Sequence, residues 1–196
     1  MKKPISLGLS LLVLGFYQAP LIHAETAPPA VAPADASLLK NGSMELDANA
    51  DGWPDGWQRH KDATWVEEGG KHFIRLKSPS PGATVLLFQK IPLSSGTKGL
   101  EMKWRVRATD LKPGAQTWFD ARILLEFRDA ADGKLPKAPN APYLRKSTTG
   151  WEERSVKVSV PDGAASFVFM PSLFQVETGT LDLDDFSLTV IDAPAN

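Results

Sequence analysis

ATWVEEGGKHFIRLKS, residues 63–78, contains two runs of alternating apolar and polar side chains separated by Gly69 and Gly70. Alternation with a period of two is typical of a half-buried β-strand, and a Gly-Gly pair between two such runs is typical of a two-residue hairpin turn. The register of this hairpin sets Trp65 opposite Ile74. The segment therefore predicts antiparallel β-structure.

The same alternation continues through the rest of the chain. Pro or Gly interrupts it so often that no amphipathic window of helical length remains. Short strands at this spacing predict an all-β fold, built as a two-sheet antiparallel β-sandwich. The further predicted strands are 84–93, 99–109, 117–128, 154–160, 164–170 and 180–190.

The composition excludes several classes of protein. The 196-residue chain has 22 Lys and Arg against 23 Asp and Glu, so its formal net charge is -1, and it has no Cys. A near-neutral chain lacks the positive charge that strong nucleic-acid binding needs. Without Cys there is no disulfide, thiolate zinc site or thiol nucleophile, so any metal ion must be held by oxygen or imidazole.

The first 24 residues are predicted to be a secretory signal peptide. Lys2 and Lys3 precede an apolar run at 5–17, and Ile22 and Ala24 suit the positions before a signal-peptidase cut. A run of about 13 apolar residues is shorter than the ~20 of a membrane-spanning helix. We therefore expect a secreted or periplasmic protein, cleaved near Ala24. The rest is predicted to be a Pro/Ala-rich linker at 25–37, a folded domain at 38–192 and a tail at 193–196.

Residues 47–55, DANADGWPD, match the calcium-loop pattern D-x-[DN]-x-[DN]-G. Short oxygen-bearing side chains at alternate positions converge on one point when the chain curls, Gly52 permits the sharp turn, and the next carbonyl adds a ligand. The predicted ligands are Asp47, Asn49, Asp51, the carbonyl of Trp53, and Asp55.

This predicted calcium loop is incomplete. Its twelfth position is Gln58, whereas an EF-hand has a bidentate Glu there. We expect a remote carboxylate, from Glu45 or from Asp184 and Asp185, to complete a structural site holding one ion, or two. The alternative is a polar turn without a metal.

The predicted strand 117–128, TWFDARILLEFR, has two faces of different kinds. Its apolar face is predicted to point into the core and consists of Phe119, Ala121, Ile123, Leu125 and Phe127. The opposite face carries Trp118, Arg122 and Glu126. The strand at 99–109 repeats the pattern, so pairing of these two strands would create a charged sheet face bearing one Trp. The Pro-rich stretch 135–142 is predicted to be a loop.

Both ends of the domain resemble a known family. The opening LLKNGSMELDANADGWPDGW (38–57) is similar to the N-G-x-x-E segment and following G-W of the CenC-like carbohydrate-binding modules, families 4 and 9 and their relatives. The closing GWEERSVKVSVPDGAASFVFM (150–170) and GTLDLDDFSLTV (179–190) resemble the "W, strand, V-P-x-G-A, strand, G-x-x-x-x-D-D" ending of that family. The resemblance covers about 38–191.

This resemblance implies a galactose-binding-like jelly roll with a structural calcium that bridges the opening segment and the last strand. Glu45 and Asp184 or Asp185 match the calcium positions of the family. The resemblance also implies polysaccharide or oligosaccharide binding by aromatic rings that stack on sugars. Trp118 is the candidate platform, with Arg122 and Glu126 as hydrogen-bonding partners and Gln89 as a weaker candidate. The alternative is that Trp118 packs under the 129–143 loop.

The last predicted strand carries an irregularity. Leu181 and Leu183 share one parity, whereas Phe186 and Leu188 share the other. A β-bulge at Asp184 and Asp185 is therefore predicted, and a bulge re-aims the side chains it contains.

No nucleophile elbow, P-loop, dinucleotide fingerprint or zinc-binding His pair is present in the sequence. Glu126 with Asp120 or Glu101 is the best candidate pair for a glycosidase, but charges on such strands more often form a solvated, salt-bridged face. We therefore expect non-catalytic carbohydrate binding, with no nucleic-acid partner and no membrane span. The alternatives are a structural or protein-interaction module, in which Trp118 meets a protein partner, and a small glycan hydrolase or lyase.

Overall fold

The computed structural model describes residues 37–194 of the chain. The predicted signal peptide at 1–24 lies outside the described residues, as do all but the last residue of the predicted linker and the end of the predicted tail. Within 37–194 there is no helix with the length and apolar character needed to cross a membrane.

The described part of the chain is built from ten β-strands and contains no α-helix. The all-β prediction is therefore confirmed. The strands are β1 (Ala63–Glu68), β2 (Lys71–Lys77), β3 (Val85–Leu86), β4 (Gln89–Pro92), β5 (Gly99–Lys112), β6 (Ala121–Arg128), β7 (Tyr143–Leu144), β8 (Glu152–Ser159), β9 (Ser166–Leu173) and β10 (Thr178–Ile191).

These strands form two five-stranded sheets in which every pairing is antiparallel. Sheet A has the order β1-β2-β10-β5-β8, and sheet B has the order β3-β9-β6-β7, with β4 also paired to β9. The β1–β2 hairpin sets Trp65 opposite Ile74, as predicted. The two-sheet antiparallel sandwich is thus confirmed.

Inward-facing side chains of both sheets form one core. Each of its main side chains exposes no more than 5% of its surface, and full burial of a Val, Leu, Ile, Phe or Met side chain stabilises the fold by about 1.5–3 kcal/mol. The main contributors are Ile74, Leu76, Leu100, Met102, Trp104, Val106, Leu181 and Leu183 from sheet A, and Ala121, Ile123, Leu125, Phe127, Phe167 and Phe169 from sheet B.

The strands at 99–109 and 117–128 do not pair, so the condition for one charged sheet face is not met. β5 lies in sheet A between β10 and β8, whereas β6 lies in sheet B between β9 and β7. The segment 113–120 carries the chain from one sheet to the other. Because the outward faces of the two sheets point in opposite directions, the polar sides of β5 and β6 do not form one charged surface.

The predicted bulge in the last strand is confirmed. Asp184 lies opposite Arg105 and Ser187 lies opposite Lys103, so β10 takes one more residue than β5 over this stretch. Asp185 has a φ of 49°, which marks the local departure from strand geometry.

The opening segment packs directly against this bulge. The Phe186 amide donates a hydrogen bond to the Gly42 carbonyl (2.9 Å), and the Leu38 amide donates to the Leu188 carbonyl (2.7 Å). At Gly42 the approach is so close that a Cβ atom would lie 1.8 Å from the Phe186 carbonyl oxygen. Glycine at position 42 is therefore a packing requirement.

The outward face of sheet A is held by a network of ion pairs centred on Asp182. This carboxylate is 1% exposed and accepts hydrogen bonds from Arg75 Nε (2.6 Å) and Arg107 Nε (2.8 Å). Arg107 also donates to both carboxylate oxygens of Glu68, at 2.8 and 2.9 Å. Four adjacent strands of sheet A, β1, β2, β10 and β5, are thereby joined by side chains as well as by the backbone.

Candidate functional site

Trp118 lies in the turn that precedes β6 and is 51% exposed. The predicted strand at 117–128 therefore begins later than expected, at Ala121. The Trp118 ring packs edge-on against Phe119, with ring centroids 6.0 Å apart, and Phe119 packs in turn against Phe174. One side of the indole is thus supported while the other is open to solvent.

Tyr143 lies on the short strand beside the start of β6 and is 61% exposed. It is the first residue of β7, directly opposite Arg122 in β6. β7 falls just after the Pro-rich stretch 135–142, and a strand of two residues is too short to be recognised from alternation. Sequence analysis therefore missed this residue.

Ion pairs hold the backbone and guanidinium groups of this region in place. Asp120 is fully buried, and its two carboxylate oxygens accept hydrogen bonds from Arg122 Nε (2.6 Å) and Nη2 (2.9 Å). Arg145 Nη1 lies 3.7 Å from Asp120 Oδ2 and donates to the Thr117 carbonyl. We call the group Trp118, Arg122, Tyr143 and Arg145 the aromatic corner.

Glu126 is farther along β6 than the aromatic corner. It lies four residues from Arg122, or about 13 Å along a strand. It is buried and bonded to Arg128 Nε (2.9 Å) and Lys134 Nζ (2.9 Å). Burial alone would raise the pKa of Glu126, but hydrogen bonds from Lys134 and Arg128 outweigh it and leave that pKa below its ordinary value. The structure does not bring Glu126 together with Trp118.

Gln89 is buried in β4, at a position opposite the core residue Phe169. Its side-chain amide donates a 2.6 Å hydrogen bond to the Gly56 carbonyl and so ties sheet B to the opening segment. We therefore leave Gln89 out of the candidate site.

The predicted calcium loop at 47–55 is curled, and its side chains cap its own backbone. Asp47 accepts hydrogen bonds from the amides of Asp51 (3.1 Å) and Gly52 (2.9 Å), and Asn49 Oδ1 accepts from the Asp51 amide (3.1 Å). Asp55 Oδ2 accepts from the Ala48 amide (3.0 Å), and Gly52 has a φ of 75°. The turn is thus the sharp one that the pattern predicts.

Arg59 lies against the outside of this loop. Its Nη2 donates to the Asp51 carbonyl (2.9 Å), and its guanidinium lies 5.5 Å from the centre of the Trp53 ring. Trp53 itself is buried, and its indole N–H donates to the Trp57 carbonyl (2.8 Å).

Of the remote carboxylates predicted to complete the site, Asp184 and Asp185 lie at the bulge of β10, and Glu45 lies in the opening segment. Burial, followed by repulsion from the Asp185 carboxylate, raises the pKa of Asp184 to about 6, and Glu45 adds further repulsion. Arg105 Nη1 lies 3.3 Å from Asp185 and 3.8 Å from Asp184. Glu45 accepts a hydrogen bond from the His72 amide (3.0 Å), and the His72 ring stacks on Trp65.

The oxygen donors of both groups are of the kind that calcium prefers. Within residues 37–194, however, no three His, Asp or Glu side chains are grouped so that they could hold a metal ion. The carboxylates of the loop are turned toward backbone amides instead. The donor chemistry therefore suits calcium, while the structure does not gather those donors around one point.

No family model matches the sequence, and no curated protein matches it. Solved structures do match. The enzymatically active domain of tailspike protein 4 of bacteriophage CBA120 is 12% identical with a TM-score of 0.61, over 80% of this chain and 22% of that chain. An arabinose-bound GH51 α-L-arabinofuranosidase is 19% identical with a TM-score of 0.52, over 79% of this chain and 26% of that chain.

A third match spans a whole protein. A CBM4, a family 4 carbohydrate-binding module, is 16% identical with a TM-score of 0.50, over 78% of this chain and 99% of that chain. This chain therefore covers a minor part of the two enzymes but almost all of the binding module. At such identities a match shows the fold alone. The described domain has the jelly-roll β-sandwich fold of carbohydrate-binding modules, as the resemblance of its two ends implies.

Proposed function

We propose that this domain binds carbohydrate without transforming it, and that the aromatic corner is the contact surface. The observation that carries this proposal is the exposure of Trp118 and Tyr143, 51% and 61%, near Arg122 and Arg145, whose guanidinium groups both lie against the buried Asp120 carboxylate. Half-exposed aromatic rings offer flat apolar surfaces to the C–H faces of sugars, while neighbouring guanidinium groups donate hydrogen bonds to hydroxyls. The Trp118 ring already packs against Phe119, and a ring that is held before binding loses little entropy on contact.

The ion pairs around the candidate carboxylates support a role without catalysis. A glycosidase needs a general acid whose pKa is raised, so that it stays protonated near neutral pH. The pKa of Glu126 is lowered instead, since Lys134 and Arg128 bond to it. Asp120 accepts a hydrogen bond from Arg122. Glu101 lies in sheet A, whereas Glu126 lies in sheet B. All three carboxylates are paired with basic side chains: Asp120 with Arg122, Glu126 with Arg128 and Lys134, and Glu101 with Lys103 and Lys157.

The variant Trp118→Ala tests this proposal. We expect it to lower polysaccharide affinity by about tenfold or more, or about 1.4 kcal/mol, because the largest exposed ring of the corner is lost. The measurement is retardation in affinity gels that contain a panel of polysaccharides. Val190→Ala, which truncates an exposed apolar side chain on sheet A, is the control and should migrate like the wild type.

Three outcomes would contradict the proposal. Absence of retardation of the wild type by every polysaccharide would favour the protein-interaction alternative. Equal retardation of the wild type and Trp118→Ala would mean that the aromatic corner is not the contact surface. Release of reducing sugar from the same polysaccharides would favour a hydrolase.

We also propose that the opening segment binds a structural calcium ion. The curled loop at 47–55 supports this proposal, since Gly52 has the positive φ of the sharp turn and the sequence places carboxylate and amide side chains in the order of a calcium loop. Glu45, Asp184 and Asp185 supply further oxygens where the opening segment meets β10. Calcium at either place would hold that segment against the sandwich.

Chelation is expected to lower the melting temperature. At calcium tenfold above a dissociation constant of about 0.1 mM, typical of extracellular modules, bound calcium adds about 1.4 kcal/mol, or about 3–6 °C. Asp51→Ala should abolish the effect if the loop holds the ion, and Asp184→Asn should abolish it if the bulge does. Identical melting curves of the wild type with calcium and with chelator would exclude a stabilising ion.

A further inference from the structure

A cleft of about 110 Å³ opens at one edge of the sandwich, between β7 of sheet B and β8 of sheet A. It reaches down to the core, because β7 is only two residues long and leaves the side of the sandwich uncovered. The floor of the cleft is apolar and consists of Trp104, Val106, Leu181 and Leu183 from sheet A and Ala121 and Ile123 from sheet B.

The inward-facing side chains of β8 change from apolar to charged at this cleft. Val158 lies opposite Leu100 and packs in the core, but Arg154 lies opposite Trp104. Arg154 Nη2 donates to Glu152, which occupies the next inward position, and its Nε and Nη1 make no hydrogen bond within residues 37–194. A guanidinium with unused donors therefore stands at the mouth of an apolar cleft.

The volume limits what the cleft accepts. A cavity of about 150 Å³ takes a benzene ring, and sites for drug-sized ligands measure about 300–1,000 Å³. A cleft of about 110 Å³ thus accepts a short chain or a small group, and the rest of a larger ligand would stay outside. Tyr143 and Arg122 line the cleft and also belong to the aromatic corner, so a ligand on the corner lies within reach of it.

We propose that this cleft binds an acyl group, with its alkyl part on the apolar floor and its oxygen accepting a hydrogen bond from Arg154. Two sources supply that chemistry: an O-acyl substituent of a glycan bound at the aromatic corner, and a free short-chain carboxylate. The first source rests on the proposed function, and the second does not.

The experiment compares acetylated xylan, glucomannan and pectin with the same polysaccharides after alkaline deacetylation, in affinity gels. We expect the acetylated form to bind about tenfold more tightly. Ala121→Val, which fills the floor, and Arg154→Gln, which removes the charged donor, should each reduce this preference to about twofold or less. Lys157→Gln on the same strand, outside the cleft, is the control and should keep it. Melting curves of all variants verify folding.

A second arm titrates the wild type with sodium butyrate and follows the methyl NMR signals of Leu144 and Leu183. Saturable shifts at these methyls that disappear in Arg154→Gln, without a preference for acetylated glycans, would identify the free carboxylate as the occupant. The same shifts without any polysaccharide binding would support the cleft and overturn the proposed function.

Equal binding of acetylated and deacetylated glycans, together with no butyrate shifts, would overturn the cleft assignment and leave the proposed function intact. In that case the inward pair of Arg154 and Glu152 serves only to block strand addition at the sheet edge. Absence of both glycan binding and butyrate shifts would overturn both proposals.

Discussion

The Gly42→Ala variant is expected to lose about 3 kcal/mol or more of its free energy of unfolding. A Cβ atom at position 42 would lie 1.8 Å from the Phe186 carbonyl oxygen and 2.9 Å from its carbon, so the opening segment must move away from the bulge of β10. Overpacking of a tight site costs about 1–3 kcal/mol. Loss of the hydrogen bond from the Phe186 amide to the Gly42 carbonyl adds about 1 kcal/mol.

Thermal unfolding measures this effect, and about 3 kcal/mol corresponds to a decrease of about 6–12 °C for a domain of this size. Gly150→Ala is a matched control, because a Cβ at position 150 meets no atom within 4 Å. It should change the stability by about 0.5 kcal/mol or less. Equal melting temperatures of the two variants would mean that the opening segment does not dock on β10 as described.

The Asp182→Ala variant is the second substitution with a large expected effect, a loss of about 3 kcal/mol. Removal of this 1%-exposed carboxylate leaves Arg75 and Arg107 beside each other without their shared anion. Breaking a buried ion pair costs about 3–5 kcal/mol. The lower figure applies because the side chains of Arg75 and Arg107 remain 34% and 19% exposed, so water still reaches them.

Chemical denaturation at low and high salt measures this loss. Asp162→Ala is the matched control, since it breaks a surface pair with Lys98 in which the Asp162 side chain is fully exposed, and exposed pairs contribute about 1 kcal/mol or less. A loss in Asp182→Ala no larger than in Asp162→Ala would show that the Asp182 network does not stabilise sheet A.

The features of the fold that were predictable from sequence are local ones. The β1–β2 hairpin depends on a turn and on alternation within 16 neighbouring residues, and its register is as predicted. The bulge of β10 was also predictable, since a change of parity within one strand requires an extra residue. The partners of β5 and β6 were not, because alternation identifies the buried face of a strand but not the strand beside it.

The candidate site was only partly predictable for the same reason. Trp118 stands out because its neighbours alternate around it, even though it lies in a turn. Tyr143 is placed opposite Arg122, and Arg145 next to the Thr117 carbonyl, only through the pairing of β7 with β6, which joins residues distant in sequence. The ion pairs that lower the pKa of Glu126 also involve Lys134, which lies in the loop after β6.

The central place of β10 has a consequence for synthesis. It is the last of the described strands, yet it lies between β2 and β5, and both of these need it as a neighbour. A ribosome-bound chain that lacks β10 cannot close sheet A. The pairings of β10 with β2 and β5 join residues distant in sequence, and such pairings make folding slow. The nascent polypeptide therefore stays open to chaperones until translation has passed residue 191.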